Sequence, residues 1–314
     1  MNLIGIDIGG TKVSICLGDS DGTIRVSRRI ETKSLGGSET GLPILVEAIG
    51  HLLRDENLEL EEIQGIGLAA PGPISTKTEK MLNPPNLPGW VNVPIVQYFR
   101  EKLGRPVFMD NDANAGALAE WEFGGAKHVN NLVYLTMSTG MGGGLIIDGK
   151  LHQGGTDTGG EVGHFILDPK GPKCSCGLTG CFEAFCGGAS VAHFLEEALR
   201  KGQKTSIKSP NMKGLIEGIK GSDPFALEVW ENYIDRLAQG IGILLQTLNP
   251  DAIILGTIAT HNKELVMNPL KQALPHFAWG VPLKYCRIEP SQLGSDIGKL
   301  GALALAIHGL KRVK

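Results

Sequence analysis

Leu3-Ile4-Gly5-Ile6-Asp7-Ile8-Gly9-Gly10-Thr11-Lys12-Val13-Ser14-Ile15-Cys16-Leu17 runs as an apolar stretch, a glycine turn and a second apolar stretch. Leu132-Val133-Tyr134-Leu135-Thr136-Met137-Ser138-Thr139-Gly140-Met141-Gly142-Gly143-Gly144-Leu145-Ile146-Ile147 repeats that plan. Apolar runs punctuated by glycine predict strand, tight turn, strand in both places. The copies begin roughly 130 residues apart, which predicts two related α/β halves facing each other across a cleft, each with one phosphate-binding turn. Successive N–H groups in a glycine turn form an anion-binding concavity, and Thr11 and Lys12 add a hydroxyl and a cation suited to phosphate. Asp7, at the end of the first strand, can orient a magnesium ion through its waters. Because the turn leads into a strand and not a helix, it is neither a Walker A loop nor a dinucleotide fingerprint. Either copy alone reads equally well as plain turn chemistry; duplication favours ligand binding.

Working outward, residues 24–32 and 63–70 read as strands and 39–54 as an amphipathic helix. Asn83-Pro84-Pro85-Asn86-Leu87-Pro88-Gly89-Trp90 is too proline-rich for a helix or central strand and is predicted as a loop, with its asparagines and Trp90 as candidates to face a polar ligand. A helix over 93–103 and a strand over 106–109 follow. That strand ends in Asp110-Asn111-Asp112-Ala113-Asn114, ahead of the good helix former Ala115 onward. Ligands of open α/β sheets gather at the carboxyl ends of strands, which makes Asn111 and Asp112 site candidates. Asparagine and aspartate also cap helices, yet three polar residues stand where one cap would suffice. Downstream, 189–201 and 224–248 read as helices, 252–255 as a strand and about 296–308 as a last helix.

Residues 160–183 carry Glu161, His164, Cys174, Cys176, Cys181 and Glu183. Three thiolates and an imidazole complete a closed tetrahedral zinc shell, and the glycines within the cysteine cluster allow the sulfurs to face one point. Unrelated thiols are the plainer alternative, and Cys16, Cys186 and Cys286 show what scattered cysteines look like here. A disulfide framework is disfavoured by the odd cluster in a chain with no secretion signal. Glu161 and Glu183 flank the shell without being needed to complete it.

The chain has 314 residues and a formal net charge of -3, enough for two cores and without the basic field of a nucleic-acid binder. Its amino terminus meets Asp7 and has no basic region, so it reads as a core strand and not as a signal peptide. The most apolar long stretch, 241–259, is broken by Gln246, Asn249, Pro250 and Asp251, too polar for a membrane span. A cytoplasmic protein, without nucleic-acid or membrane partners, is expected. Two phosphate turns, an acid after a strand and metal-fixed polar residues together suggest phosphate transfer from a nucleotide to a small polar acceptor.

In these motifs, 7–12, 83–90, 111–120, 138–144, 161–164 and 174–183, the chain resembles the ROK family of sugar kinases and repressors, most closely its bacterial glucokinase branch. The resemblance covers almost the full length and implies an actin-like, ribonuclease-H-like pair of α/β lobes closing over ATP and a hexose. The smaller lobe would comprise 1–115 with about 296–314, and the larger 116–295 with the zinc knuckle. Asp112 would be the general base on the sugar 6-hydroxyl. Asn83, Asn111, Glu161, His164 and Glu183 would contact the sugar. Asp7, Gly9, Gly10, Thr11, Lys12, Thr139, Gly140, Gly142 and Gly256 would serve ATP and magnesium. His164, Cys174, Cys176 and Cys181 would hold structural zinc. A homodimer is implied as well. The expected reaction is glucose to glucose 6-phosphate. N-acetylglucosamine, N-acetylmannosamine, fructose or allose as acceptor, or a sugar sensor, are the alternatives. The chain departs from the family pattern at Gly256-Thr257-Ile258 in the adenosine loop and at Ile297, where a small residue is usual. Repressor members carry a helix-turn-helix ahead of the first hairpin, whereas this sequence starts at the strand itself.

Overall fold

The computed structural model describes residues 1–313. The first half contains β1 (Asn2–Ile8), β2 (Lys12–Gly18), β3 (Ile24–Glu31), α1 (Ser38–Asp55), β4 (Ile63–Ala70), the small β5 (Ile74–Ser75) and β6 (Lys80–Met81), α2 (Ile95–Leu103), β7 (Val107–Asn111) and α3 (Asp112–Glu122). The second half contains β8 (Leu132–Met137), β9 (Met141–Ile147), β10 (Lys150–Leu151), α4 (Phe182–Cys186), α5 (Gly188–Arg200), α6 (Met212–Lys220), α7 (Pro224–Leu248), β11 (Ala252–Leu255), α8 (Ile258–His261), α9 (Lys263–Ala273), α10 (Gly280–Tyr285), β12 (Arg287–Pro290) and α11 (Ile297–Val313).

Two five-stranded sheets follow one plan, with orders β3-β2-β1-β4-β7 and β10-β9-β8-β11-β12. In each, the hairpin is antiparallel and the last two strands are parallel to its first strand. The repeated sequence hairpin therefore marks a repeated sheet, and the architecture is the actin-like, ribonuclease-H-like one. Strands β4 and β11 are buried along almost their whole length, as expected of central parallel strands covered on both faces.

The helix that follows the last strand of each sheet crosses to the other half. Helix α3 follows β7 yet packs on β8 and β9; α11 follows β12 yet packs on β1 and β4, and the two helices pack on each other. Small residues make this close approach possible. A Cβ on Gly67 of β4 would lie 1.8 Å from the Ala302 carbonyl oxygen, and one on Gly301 would lie 2.9 Å from the Ala115 backbone. These two helices thus bring the ends of both sheets to one place.

One expectation is corrected. Trp90 does not face a ligand: it is 1% exposed, beneath α1, and its indole N–H donates to the Gly36 carbonyl at 3.1 Å. A buried indole needs such a partner, and its large apolar surface belongs in the core of the first half. Ile297 opens α11 and packs partly buried against the α3–α11 core, and its neighbour Gly298 lies against the Asp7 carboxylate.

Candidate active site

The corner from β7 into α3 is held by its own side chains. Asn111 accepts the Asn114 N–H at 2.7 Å, which caps the helix and leaves its amide NH2 for another partner. Capping and binding are therefore compatible roles of Asn111. Asp112 is the first helical residue, and more than a third of its surface is open although protein crowds around it. Desolvation by that surrounding protein raises its pKa, the Glu161 carboxylate raises it further, and the Ala113 N–H partly offsets both. An open carboxylate in a crowded setting marks a concave site.

Asp7, the penultimate residue of β1, lies within the electrostatic reach of Asp112. Burial, then the charge of Asp112, push it up to about 6, against the lowering influence of Lys12 and Lys299. A carboxylate whose ionisation a neighbouring carboxylate opposes fits a cation placed beside it. In the first glycine turn, Gly9 N–H donates to the Lys12 carbonyl at 2.9 Å and the Thr32 hydroxyl donates to the Gly9 carbonyl at 2.7 Å. Gly10 and Thr11 stay exposed at the tip. A Cβ on Gly10 would meet Asn86 at 2.8 Å, so the proline-rich loop lies against this turn.

The second turn is braced from behind. The N–H groups of Gly188 and Ala189 donate to the carbonyls of Ser138 and Thr139, each at 2.9 Å. Glu183 accepts the Met141 N–H at 3.0 Å with one oxygen and the Ser175 hydroxyl at 3.2 Å with the other. A Cβ on Gly140 would stand 2.5 Å from that same carboxylate, and one on Gly142 would come within 3.1 Å of the Thr136 methyl and touch Ala113 of the Asp112 corner at 3.4 Å. A side chain at 140 would displace the Glu183 carboxylate from its bond to the turn.

One ligand atom from each of His164, Cys174, Cys176 and Cys181 lies within 4.8 Å of the others. Cys176 and Cys181 sulfurs are 3.6 Å apart, too far for a disulfide. Gly177 and Gly180 adopt φ of 93° and 77°, and a Cβ on Gly180 would overlap the Asp168 carbonyl oxygen. Burial, then the neighbouring thiols, push Cys181 up to about 12, so thiolates here call for a compensating cation. The donor set fits zinc. His164 turns Nδ1 toward Cys174 at 3.7 Å and Nε2 toward Glu161 at 3.9 Å, facing cluster and cleft with different nitrogens. Helix α7 supports the knuckle: Gln239 donates to the Leu167 carbonyl at 3.1 Å, and Arg236 lies 4.4 Å over the Phe185 ring.

The structure thus brings together Asp7, Asp112, Glu161 and His164, and joins Glu183 to the second turn. Asn83 is exposed, and among the described residues no hydrogen bond ties it to the Asp112 corner. Gly256 donates to the Leu135 carbonyl at 2.8 Å at the end of β11, where a Cβ would stand 2.5 Å from the Tyr134 hydroxyl. Asp110 and Lys299 were not singled out in the sequence. Asp110 was visible as the third polar residue of its cluster, whereas Lys299 carries no local signal.

The fold and these turns define an actin-like protein with paired glycine turns over an acidic corner. Residues 3–308 match the model described as "ROK family", and the chain belongs to that family. It is 30% identical over 312 residues to a glucokinase of Thermotoga maritima, covering 97% of each chain. It is also 33% identical over 312 residues to a xylose repressor of Bacillus spizizenii, covering 99% of this chain and 78% of the repressor. Among solved structures, a ROK hexokinase from Thermus thermophilus matches 99% of this chain and 100% of its own, at TM-score 0.86 and 30% identity. A ROK glucokinase from Streptomyces griseus in complex with glucose and AMPPNP matches 98% of this chain and 100% of its own, at TM-score 0.80 and 27% identity. Among the described residues no helix is long and apolar enough to cross a membrane.

Proposed function

We propose that this chain is a cytoplasmic ATP-dependent hexose kinase that phosphorylates the 6-hydroxyl of its sugar, with glucose the first candidate. The observation that carries the reading is the Asp112 carboxylate, open at a strand-to-helix corner within the electrostatic reach of Asp7 and Glu161. A carboxylate with a raised pKa and room for a ligand is suited to accept the proton of an attacking hydroxyl. The similarity to the glucokinases, one of them bound to glucose and AMPPNP, supports both substrates.

Phosphoryl transfer depends on positioning and charge neutralisation more than on covalent chemistry by the protein. Asp112 takes the hydroxyl proton. Asn111 offers its free amide NH2, and Glu161 and the Nε2 of His164 offer hydrogen bonds on the facing side. Residues 9–12 and 139–142 supply backbone donors and Lys12 to phosphate. Magnesium held near Asp7 would neutralise charge on the phosphates. Zinc in a shell of three thiolates and a histidine leaves no open position and would act structurally. The test is a coupled ADP-release assay over a panel of hexoses, in which glucose turnover is expected and absence of turnover on every sugar overturns the reading. The 33% identity to a xylose repressor favours one alternative, sugar sensing without turnover. In that case the panel shows binding by calorimetry but no ADP release.

A further inference from the structure

Asp110 stands two residues before Asp112, only 2% exposed, and the reaction proposed above gives it no part. Its Oδ1 accepts the Asn111 N–H and the Asn114 side-chain amide, each at 2.8 Å. Its Oδ2 accepts the Gln153 side-chain amide at 2.7 Å, across 43 residues of sequence. All three partners are donors, which suits an ionised, acceptor-only carboxylate, and these bonds oppose the raising effect of burial. Two of the bonds lie inside the corner that presents Asn111 and Asp112. The third leaves it for the other half of the molecule.

Gln153 begins a surface loop that ends at Glu161. Its carbonyl accepts the Gly159 N–H at 2.8 Å, which closes the loop on itself. Between residues 152 and 158 only Gln153 and Asp157 are turned away from solvent, and both reach across to the first half. Asp157 accepts the Thr76 N–H at 3.0 Å and the Thr76 hydroxyl at 2.6 Å; the Lys77 ammonium donates to the Gly155 carbonyl at 2.7 Å. A cavity of about 260 Å3 borders Asp110, Gln153 and Thr76, so close packing does not hold the Gln153 side chain from that side. Its position rests on the hydrogen bond.

We infer that Asp110 is a positioning residue which, through Gln153 and beside the Asp157–Thr76 tie, fixes the distance between Asp112 on one half and Glu161 on the other, across the sugar pocket. This rests on the sugar-kinase reading for its kinetic consequence but not for its structural one. The loop ends at Glu161, whose charge reaches Asp112, so a shift in the loop alters the sugar contacts proposed for Glu161. A misplaced pocket wall weakens ground-state and transition-state binding together. The loss should therefore fall chiefly on KM for the sugar, with KM for ATP unchanged.

The experiment uses Gln153→Ala, which leaves the corner's internal bonds intact, together with the exchanged pair Asp110→Asn/Gln153→Glu. In the exchanged pair the amide introduced at position 110 keeps its oxygen as acceptor for Asn111 and Asn114, and its NH2 donates to the carboxylate introduced at position 153. Gln153→Ala should raise the sugar KM about tenfold or more, as loss of a charge-assisted hydrogen bond would. The single Asp110→Asn should be at least as impaired, and the exchanged pair should recover to within a few-fold of wild type. Amide hydrogen exchange on the ligand-free proteins reads the link without turnover. Gln153→Ala should speed exchange at both 111–114 and 153–161, and the exchanged pair should restore it. Unchanged exchange at 111–114 in Gln153→Ala, or an exchanged pair no better than Asp110→Asn, overturns the inference. If wild type phosphorylates no hexose, the function proposal fails while the exchange measurement still decides this one.

Discussion

Glu183 accepts the Met141 N–H at 3.0 Å, joining the first turn of α4 beside the cysteine knuckle to the second glycine turn. The carboxylate's other oxygen takes the Ser175 hydroxyl from within the knuckle. One side chain thus transmits the placement of the knuckle to a turn that would carry phosphate. Glu183→Ala should raise KM for ATP about tenfold or more, the effect of losing a charge-assisted hydrogen bond that shapes the turn. Glu183→Gln keeps one acceptor for Met141 and should cost only a few-fold. Steady-state kinetics at saturating sugar distinguish the two, and equal effects from both variants would show that charge, and not turn geometry, is what Glu183 supplies.

Asp112→Asn removes the proton acceptor and keeps nearly the same shape. Turnover should fall by about 10²–10⁴-fold, the usual contribution of a positioned general base. Sugar affinity, measured by calorimetry without nucleotide, should stay within a few-fold. Retention of more than a tenth of wild-type kcat would remove Asp112 from the base role.

Asp7 carries a pH dependence whose direction follows from its raised pKa. Folding lifts it from an ordinary 3.8 to about 6, by burial first and Asp112 second. The folded protein therefore binds the proton more tightly than the unfolded chain. Stability from this group is fully present below about pH 4 and is lost as the pH rises through about 6. The raised Asp110 and Asp112 act in the same direction. Free of nucleotide and magnesium, the wild type should lose on the order of 2–3 kcal/mol from Asp7 between about pH 4 and about pH 7, before other groups contribute. Asp7→Asn should flatten that part of the profile in denaturant titrations. A variant with the same slope as wild type would mean that Asp7 is ionised freely in the fold.

The knuckle should hold about one zinc per chain by elemental analysis. Cys181→Ser should abolish stoichiometric binding and lower Tm by at least about 5 °C, since metal affinity of such a site is folding free energy. Cys286→Ser, outside the cluster, should leave metal content unchanged. A well-folded, active preparation with far less than one metal per chain would remove the structural role.

What could be read from sequence was local. The hairpins at 3–17 and 132–147 declare themselves because strand and turn chemistry are written in consecutive residues, and their repetition marks the repeated sheet. The cysteine cluster is legible for the same reason: Cys174, Cys176 and Cys181 share one short loop. The Asp110–Gln153 bond was not legible, because its partners meet only when β7 and the loop after β10 are brought together. Trp90 misled because a proline-rich loop predicts exposure, whereas the loop folds back beneath α1. The need for glycine at 298 was not legible either, because only the packing of α11 against β1 brings that position onto the Asp7 carboxylate.

The contact of Gly298 with Asp7 leads to a substitution that separates activity from stability. A Cβ on Gly298 would stand 2.2 Å from Asp7 Oδ2 and 2.7 Å from its carboxyl carbon. Both lie far inside van der Waals contact, so the Asp7 carboxylate must move in Gly298→Ala. The substitution also replaces glycine with alanine near the start of a helix, a change that favours the folded state by up to about 1 kcal/mol in a helix interior. The two effects on stability oppose each other, and Tm should change little. The effect on chemistry is not offset, because a displacement of about 1 Å in a positioned group can lower the rate about 10²-fold. Gly298→Ala should therefore lose most of its kcat, with its sugar KM near wild type. Gly298→Ser should behave alike. If kcat is retained in both, the position of the Asp7 carboxylate does not limit turnover.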